Sequence, residues 1–335
     1  MRNKIVLIII AIFSLNNVTF ADTATENKWI KAHHGIIFYQ DYRNDRYDLN
    51  ELTRMAEELG TNAVKTWIKG HTQGEIPEKA ENDEYEAIFE SFEVICLNVC
   101  PDYILGRWDA RKKYDEETRE DIEADFYQLT ESLIDDYDGY GKTFIINYFF
   151  EMNVYMGTPS SGRPNFPVIE FIADAQSGVK KALREIKTKD IKIFDCIESN
   201  CDHDYFDFVK NIFPKVNVDL YSISYYGYKS LNMLKHWAKY APDNKLFGDK
   251  NIIVGEYGIK MEDPRVNGDE NAQSAYLKSI RKQAKELKVP YIFLFWLADQ
   301  ESKIKSEGHF GIVNLEGERR KAWSDLYNAY HFRKK

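Results

Sequence analysis

Strand-like and helix-like segments alternate along most of this chain, and the alternation restricts the folds that it can adopt. Amphipathic stretches at 49–59, 116–135, 167–186, 269–288 and 322–330 have the apolar spacing of helices. Eight short apolar segments have the length of buried strands, namely 35–39, 62–67, 92–98, 143–151, 191–197, 218–225, 252–256 and 291–296. Parallel strands need helical crossovers between them. We therefore predict the α/β class and a single (β/α)₈ TIM barrel.

Two common alternatives to one barrel have weak support. No Gly-x-Gly-x-x-Gly segment follows any predicted strand, which argues against a dinucleotide-binding sheet. No low-complexity linker divides the chain either. One domain over residues 22–335 is therefore the prediction.

Residues 1–21 have the pattern of a secretory signal peptide. Arg2 and Lys4 precede the apolar run 5–13, and Thr19-Phe20-Ala21 places small residues at the two positions that matter for cleavage. We predict cleavage near Ala21, a secreted or periplasmic protein, and no membrane segment in the mature part. An uncleaved N-terminal anchor is the alternative, although the run is short for a membrane span.

The charge balance bears on possible partners. The chain has 45 Lys and Arg against 54 Asp and Glu, a net charge of −9. Loss of Arg2 and Lys4 with the signal peptide makes the mature chain still more acidic. Nucleic-acid phosphates need clustered Lys and Arg, so no nucleic-acid partner is expected, whereas neutral sugars are compatible with this balance. We expect no cofactor and a monomer.

The four cysteines form an even set, as in many exported proteins. Cys96 and Cys196 fall within predicted strands, and Cys100 and Cys201 directly follow them. A Cys100–Cys201 disulfide across the mouth of the fold is the preferred pairing, and four buried thiols are the alternative. None of the seven histidines has a usual ligand spacing with another ligand residue, so no metal site is predicted.

Two glutamates at the ends of predicted strands are the main functional signal. Glu151 closes the fourth strand and Glu256 the seventh. An unpaired charge at the edge of an apolar core is costly, so its placement requires a reason. In a TIM barrel both carboxylates would emerge at the same rim, where the βα loops gather. Such a pair is what glycosidic cleavage needs, and two salt-bridged structural residues are the alternative.

At these segments the chain resembles clan A of the retaining glycoside hydrolases, which carry glutamates on strands 4 and 7 of an eightfold barrel. Phe150-Glu-Met-Asn153 is similar to the His-Glu-Met-Asn segment that bears the acid/base in one β-mannanase family. Val254-Gly-Glu-Tyr-Gly258 is similar to the nucleophile strand of many members, 219–226 to their sixth strand, and Phe293-Leu-Phe-Trp296 to their eighth. In layout the resemblance spans residues 33–330.

The resemblance implies hydrolysis by double displacement on a poly- or oligosaccharide. Glu256 would be the nucleophile, and Glu151 would protonate the leaving oxygen and then activate water. The two carboxyls would lie ~5–5.5 Å apart, with Glu151 protonated and Glu256 ionised. Members place Asn or His before the acid/base, and this chain has Phe150. A non-catalytic glycan-binding barrel is therefore the alternative.

Further residues are expected to contact the sugar or the nucleophile. The resemblance implies a sixth-strand tyrosine beside Glu256. Ser222, Ser224 and Tyr226 share one strand face, so Tyr226 is the first choice and Tyr225 the second. Six other residues at predicted strand ends or in βα loops are expected to bind sugar, namely Trp67, Trp296, Trp108, Lys65, Asn98 and Glu198. For Trp108 the alternative to sugar binding is ordinary packing within its loop. For Glu198 the alternative is a solvated position at the start of a loop.

Overall fold

Eight parallel strands close into one barrel, in the order in which they occur along the chain. The computed structural model describes residues 25–38, 47–105, 114–155, 166–200, 206–226, 251–299 and 309–331. The strands are β1 His34–Ile37, β2 Ala63–Gly70, β3 Val94–Pro101, β4 Thr143–Asn147, β5 Lys192–Asn200, β6 Leu220–Tyr225, β7 Ile252–Tyr257 and β8 Ile292–Leu294. The predicted (β/α)₈ TIM barrel is therefore confirmed.

Helices cover the outside of this barrel. Residues 25–33 are helical and form α1. The other helices are α2 Leu49–Leu59, α3 Glu75–Ala80, α4 Asp83–Ser91, α5 Asp102–Leu105, α6 Glu116–Tyr137, α7 Met152–Tyr155, α8 Val168–Glu185, α9 Phe206–Ile212, α10 Glu270–Glu286 and α11 Lys321–Tyr330. None of the helices in the described ranges is long and apolar enough to cross a membrane.

Local sequence signals account for most of the long helices. In α2 the apolar residues at 49, 52, 56 and 59 are buried, Asp48 accepts a hydrogen bond from the Glu51 N–H, and Gly60 ends the helix with φ 86°.

The helices α3 and α4 were not predicted. Each is short, and charged residues occupy most of their outward positions, so no long apolar stripe marks them.

Several strands differ in length from the prediction, and this changes where key residues lie. The strand β4 ends at Asn147, so Glu151 lies four residues beyond it, in a turn. The strands β2 and β5 are longer than predicted, because β2 pairs with β3 over eight successive residues and β5 continues alongside β6 to Asn200. Lys65, Trp67 and Glu198 therefore lie inside strands rather than at their ends.

The prediction of a Cys100–Cys201 disulfide was wrong, because Cys100 is a free thiol. The longer β3 places Cys100 within the strand, where its side chain is fully buried and close to the backbone of Phe150. Phe150 lies in the turn after β4. The Cys100 thiol is buried beneath this turn and is not exposed at the mouth of the barrel. Cys96 and Cys196 are also free and buried, and Cys201 lies outside the described residues. Residues 1–21 lie outside them too, so the signal peptide stays a prediction.

Candidate active site

Strand register brings a layer of polar side chains together inside the barrel. Asn98 of β3 lies beside Asn147 of β4, and Glu198 of β5 beside Ser222 of β6. The Asn147 side-chain N–H donates to Asn98 Oδ1 at 2.5 Å and to Glu198 Oε2 at 3.4 Å. All four side chains are buried. A polar layer at this depth is stable only because its members hydrogen-bond one another.

A buried lysine joins two of the carboxylates. Lys65 Nζ lies 2.5 Å from Glu198 Oε2 and 3.3 Å from Glu256 Oε1, and the lysine side chain is fully buried. It also lies 5.6 Å from the centre of the Trp67 ring, within the range of a cation–π contact. Burial opposes its charge, but Glu198 and Glu256 outweigh burial and raise the pKa of Lys65, so it is a cation.

Glu256 lies in β7 and is buried at 3% exposure. Tyr226, directly after β6, donates its hydroxyl to Glu256 Oε2, while Lys65 approaches Oε1. Burial raises the pKa of Glu256 to about 7, with a further contribution from the Glu198 carboxylate. Lys65 and Tyr226 act in the opposite direction because they stabilise the ionised form.

The residue before Glu256 is a glycine, and the polar layer explains why. A Cβ placed on Gly255 would collide with Ser222 Oγ and Glu198 Oε2, and it would lie 3.2 Å from Lys65 Nζ. The backbone of β7 thus packs directly against the buried ion pair. A side chain at position 255 would displace the groups that surround Glu256.

Glu151 lies in the turn after β4, with a φ of 42°, which is uncommon for a residue with a side chain. Its Oε1 accepts a hydrogen bond of 2.6 Å from Asn200 Nδ2, at the end of β5. Burial raises the pKa of Glu151 well above its usual value, and the charges of Glu256 and Glu198 raise it further. These effects favour the protonated form of Glu151, whereas Lys65 and Tyr226 favour the ionised form of Glu256.

Asn200 is itself held by the residue two positions after Glu151. The Asn200 N–H donates to Asn153 Oδ1 at 2.8 Å, and Asn153 Nδ2 donates to the Asn200 carbonyl at 2.9 Å. Asn153 belongs to α7, the short helix that follows Glu151. The end of β5 and the turn after β4 are therefore locked together around the Glu151 carboxyl.

Aromatic rings lie beside these carboxylates. The Trp67 ring lies 5.5 Å from that of Trp296 and 6.2 Å from that of Phe150, between centres. The Phe295 ring lies 4.2 Å from Trp296 and 5.3 Å from Tyr226. Trp67 and Trp296 are only 5% and 7% exposed, so most of their surface already packs against protein.

The structure gathers most of the residues that were predicted to form the site. Glu151, Glu256, Tyr226, Lys65, Asn98 and Glu198 belong to one connected set of hydrogen bonds, ion pairs and charge interactions. Tyr225 is buried on the opposite face of β6 from Tyr226, because neighbouring strand residues alternate. Trp108 lies outside the described residues.

Asn147, Asn153 and Asn200 were missed as site residues. For Asn200 a signal did exist, since it shares the inward face of β5 with Glu198 through the two-residue period of a strand. Among the described residues, no group of three His, Cys, Asp or Glu side chains could hold a metal ion. Chemically, this arrangement offers one carboxyl whose surroundings favour its proton, and a second carboxyl that contacts a buried cation and a hydroxyl donor, both of which favour ionisation.

No model of a known protein family matches the sequence, and no curated protein does so. Solved structures do match the fold. A family 39 glycoside hydrolase from Bacteroides cellulosilyticus WH2 matches with TM-score 0.61 and 13% identity, over 89% of this chain and 63% of its own. An exo-β-1,4-mannosidase from Opitutaceae bacterium strain TAV5 matches with TM-score 0.61 and 14% identity, over 89% of this chain and 59% of its own.

A third solved structure is a family 5, subfamily 18 protein from Bifidobacterium longum subsp. longum ATCC 55813 in complex with Manβ1-4GlcNAc. It matches with TM-score 0.61 and 12% identity, over 89% of this chain and 78% of its own. The chain therefore spans less than two thirds of the length of the first two structures. At these identities the likeness shows a shared barrel fold.

Proposed function

We propose that this protein is a retaining glycoside hydrolase, with Glu256 as the nucleophile and Glu151 as the acid/base. One observation carries the proposal: the Glu256 carboxylate contacts the Lys65 ammonium and the Tyr226 hydroxyl, which favour its ionised form, whereas burial and the charges of Glu256 and Glu198 raise the pKa of Glu151 and favour its protonated form. Double displacement needs this division between a proton donor and an ionised nucleophile. The barrel shared with glycoside hydrolases gives additional support.

In the first step the Glu256 carboxylate attacks the anomeric carbon, and the bond from that carbon to the leaving oxygen breaks. Glu151 gives its proton to this oxygen, so the leaving group departs as a neutral alcohol. The sugar is then an ester of Glu256. In the second step a water attacks the anomeric carbon, Glu151 takes the water proton, and Glu256 is released as a carboxylate.

The names of the similar structures guide the choice of substrate. One is an exo-β-1,4-mannosidase and another holds Manβ1-4GlcNAc. We propose β-linked hexosides, tested first with mannose at the cleaved position. The N-terminal pattern supports an exported enzyme that acts outside the cytoplasm, and we expect it to act as a monomer.

A second candidate function is glycan binding without turnover, and Phe150 is the observation in its favour. This residue precedes Glu151, where the resembling enzymes place Asn or His. Its ring stacks on Phe149, with 5.3 Å between centres, and makes a T-shaped contact with Trp67. An aromatic ring therefore lies where a polar contact to the substrate would be expected.

A substrate screen with a matched variant separates the two functions. The purified protein is incubated with β-linked polysaccharides, oligosaccharides and aryl β-glycosides, and reducing ends or released phenol are measured. Hydrolysis by the wild type, together with loss of more than about a thousandfold in Glu256→Gln, supports the proposal. Glycan binding without released sugar supports the second candidate. Equal hydrolysis by the variant would contradict the assigned nucleophile.

A further inference from the structure

Glu198 is a carboxylate that the two-glutamate reaction does not use. It is completely buried, and both of its oxygens are occupied. Oε2 accepts from Lys65 at 2.5 Å and from Ser222 at 2.6 Å, and Oε1 accepts from Ser224 at 3.2 Å. The Glu198 side chain has no exposed surface that a sugar hydroxyl could reach. The sequence-based prediction that Glu198 binds substrate therefore lacks structural support.

Lys65 divides its charge unequally between its two carboxylates. The ion pair with Glu198 is 2.5 Å long, and the contact with Glu256 is 3.3 Å long. Both are buried, so water screens neither of them strongly. Ser222 and Ser224 fix Glu198 from β6, and Glu198 in turn fixes the lysine ammonium.

We propose that Glu198 is a positioning residue for the nucleophile: it anchors the Lys65 ammonium closer to itself than to Glu256, so that Glu256 receives only part of the cation's charge. This inference rests on the proposed function, because it takes Glu256 to be the nucleophile. It assigns a task to Glu198, a residue that does not touch the substrate. Two consequences for the reaction follow from the arrangement of charges.

The first consequence concerns the attacking carboxylate. A carboxylate that is fully paired with a buried ammonium is stabilised, and this stabilisation is lost when its charge moves onto the anomeric carbon. Because Glu198 holds Lys65, the Glu256 carboxylate is stabilised less by the ammonium, and less of this stabilisation is lost when Glu256 attacks. The second consequence concerns the covalent intermediate, in which Glu256 is a neutral ester. Lys65 then stays paired with Glu198, and no buried cation is left without a counter-charge.

The groups that face Glu256 come from five elements or turns. Burial makes the largest contribution and raises the pKa of Glu256. Lys65 and Tyr226 lower this pKa, and the charge of Glu198 raises it further. Cys96 of β3 also lies within electrostatic reach, but burial raises the pKa of its thiol to about 12, so it is neutral. The facing titratable groups among the described residues are Lys65, Cys96, Glu151, Glu198 and Tyr226.

The test measures the ionisation of Glu256 with and without the charge of Glu198. In Glu198→Gln the side chain keeps its shape and loses its charge, so Lys65 pairs with Glu256 alone. We expect the acid limb of kcat/KM to move to lower pH by about 1 unit or more. The rate at the plateau should fall by about tenfold or more, because the nucleophile is then over-stabilised.

The same ionisation can be followed without substrate. The infrared carboxyl band of protonated Glu256 is obtained as the difference between each protein and its Glu256→Gln counterpart, and is titrated with pH. The control is Asp195→Asn, which removes a buried carboxylate from the same strand. Asp195 faces the helical layer, where Gln176 and Lys180 of α8 contact it, and Tyr148 donates to it at 3.0 Å. Its substitution should leave the Glu256 titration unchanged.

A double-mutant cycle separates anchoring from simple repulsion between two carboxylates. If Glu198 holds Lys65 away from Glu256, Glu198→Gln shifts the Glu256 titration more when Lys65 is present than in a Lys65→Met background. Equal shifts in the two backgrounds would mean that Glu198 acts by repulsion alone, and they would overturn the proposal. An unchanged titration in Glu198→Gln would also overturn it.

A second variant covers the case in which Glu198→Gln does not fold. Glu198→Asp keeps the charge on a shorter side chain, which draws Lys65 away from Glu256, so the Glu256 titration should move to higher pH. No shift in this variant counts against anchoring. Absence of hydrolysis by the wild type contradicts the proposed function instead, and the infrared titration still decides whether Glu198 controls the charge that reaches Glu256.

Discussion

Asn200 Nδ2 donates a hydrogen bond of 2.6 Å to Glu151 Oε1, and Asn153 locks Asn200 in place through its backbone N–H and carbonyl. In a protonated carboxyl the carbonyl oxygen is the better acceptor, so the oxygen that accepts from the amide is favoured as the one without the proton. The contact therefore directs the acidic proton of Glu151 to Oε2. It also stabilises the ionised form, so it keeps the pKa of Glu151 below the value that burial alone would impose.

Removing this contact should impair proton donation selectively. In Asn200→Ala we expect kcat/KM to fall by about 10- to 100-fold for aryl glycosides with poor leaving groups and to change little for those with good ones. A series of aryl glycosides that differ in phenol acidity measures this dependence. Asn62→Ala, at the amino end of β2, is the control. A uniform loss across the series would indicate a structural role for Asn200.

Loss of the acid/base itself should be rescued by a small anion. Glu151→Ala should lower hydrolysis of substrates with poor leaving groups by about 10²- to 10⁴-fold. Azide can attack the glycosyl ester where no base activates water, so it should restore turnover of substrates with good leaving groups and yield the β-glycosyl azide. Product analysis by NMR checks this outcome. Turnover that azide does not change would count against Glu151 as the acid/base.

The fold should lose stability as Glu256 ionises. Its pKa is raised from 4.5 to about 7 in the folded protein, so between these values the folded state binds more protons than the unfolded state. The contribution of Glu256 is therefore fully present below pH 4.5 and is lost as pH rises through about 7. It is on the order of 3 kcal/mol in the free energy of unfolding.

Calorimetry on the wild type and Glu256→Gln between pH 4.5 and pH 8 measures this contribution. The variant has no carboxyl to ionise at this position, so its free energy of unfolding should fall less steeply over the same range. The two curves should therefore diverge as pH rises. Parallel curves would show that Glu256 does not titrate differently in the folded and unfolded states.

The cysteines give a test that is independent of activity. Cys96, Cys100 and Cys196 are free thiols, so at least three thiols should react with Ellman's reagent after unfolding in denaturant without reductant. In the folded protein these three should be unreactive, because they are buried and burial raises their pKa values. Two or fewer thiols in the unfolded chain would restore the disulfide prediction.

The sequence predicted the barrel because each helix and strand has its own local pattern, and the order of these elements indicates the fold. The apolar spacing in α2 and the alternation of Ser222, Ser224 and Tyr226 depend on neighbours a few residues apart. The bounds of β2, β4 and β5 were less predictable, because pairing with an adjacent strand decides where a strand ends. Glu151 was consequently assigned to a strand, although it lies in a turn beyond it.

By itself the sequence determined eight alternating units and the two glutamates that belong to the fourth and seventh of them, and the alternation along β6 made Tyr226 the first choice for the tyrosine that the resemblance implies beside Glu256. Only the tertiary structure decided that Lys65 and Glu198 form a buried ion pair, that Asn200 holds Glu151, and that Cys100 is a free thiol. Lys65 and Glu198 are 133 residues apart, so no local pattern links them. Their contact depends on closure of the barrel, which removes both charges from water and leaves each as the other's partner.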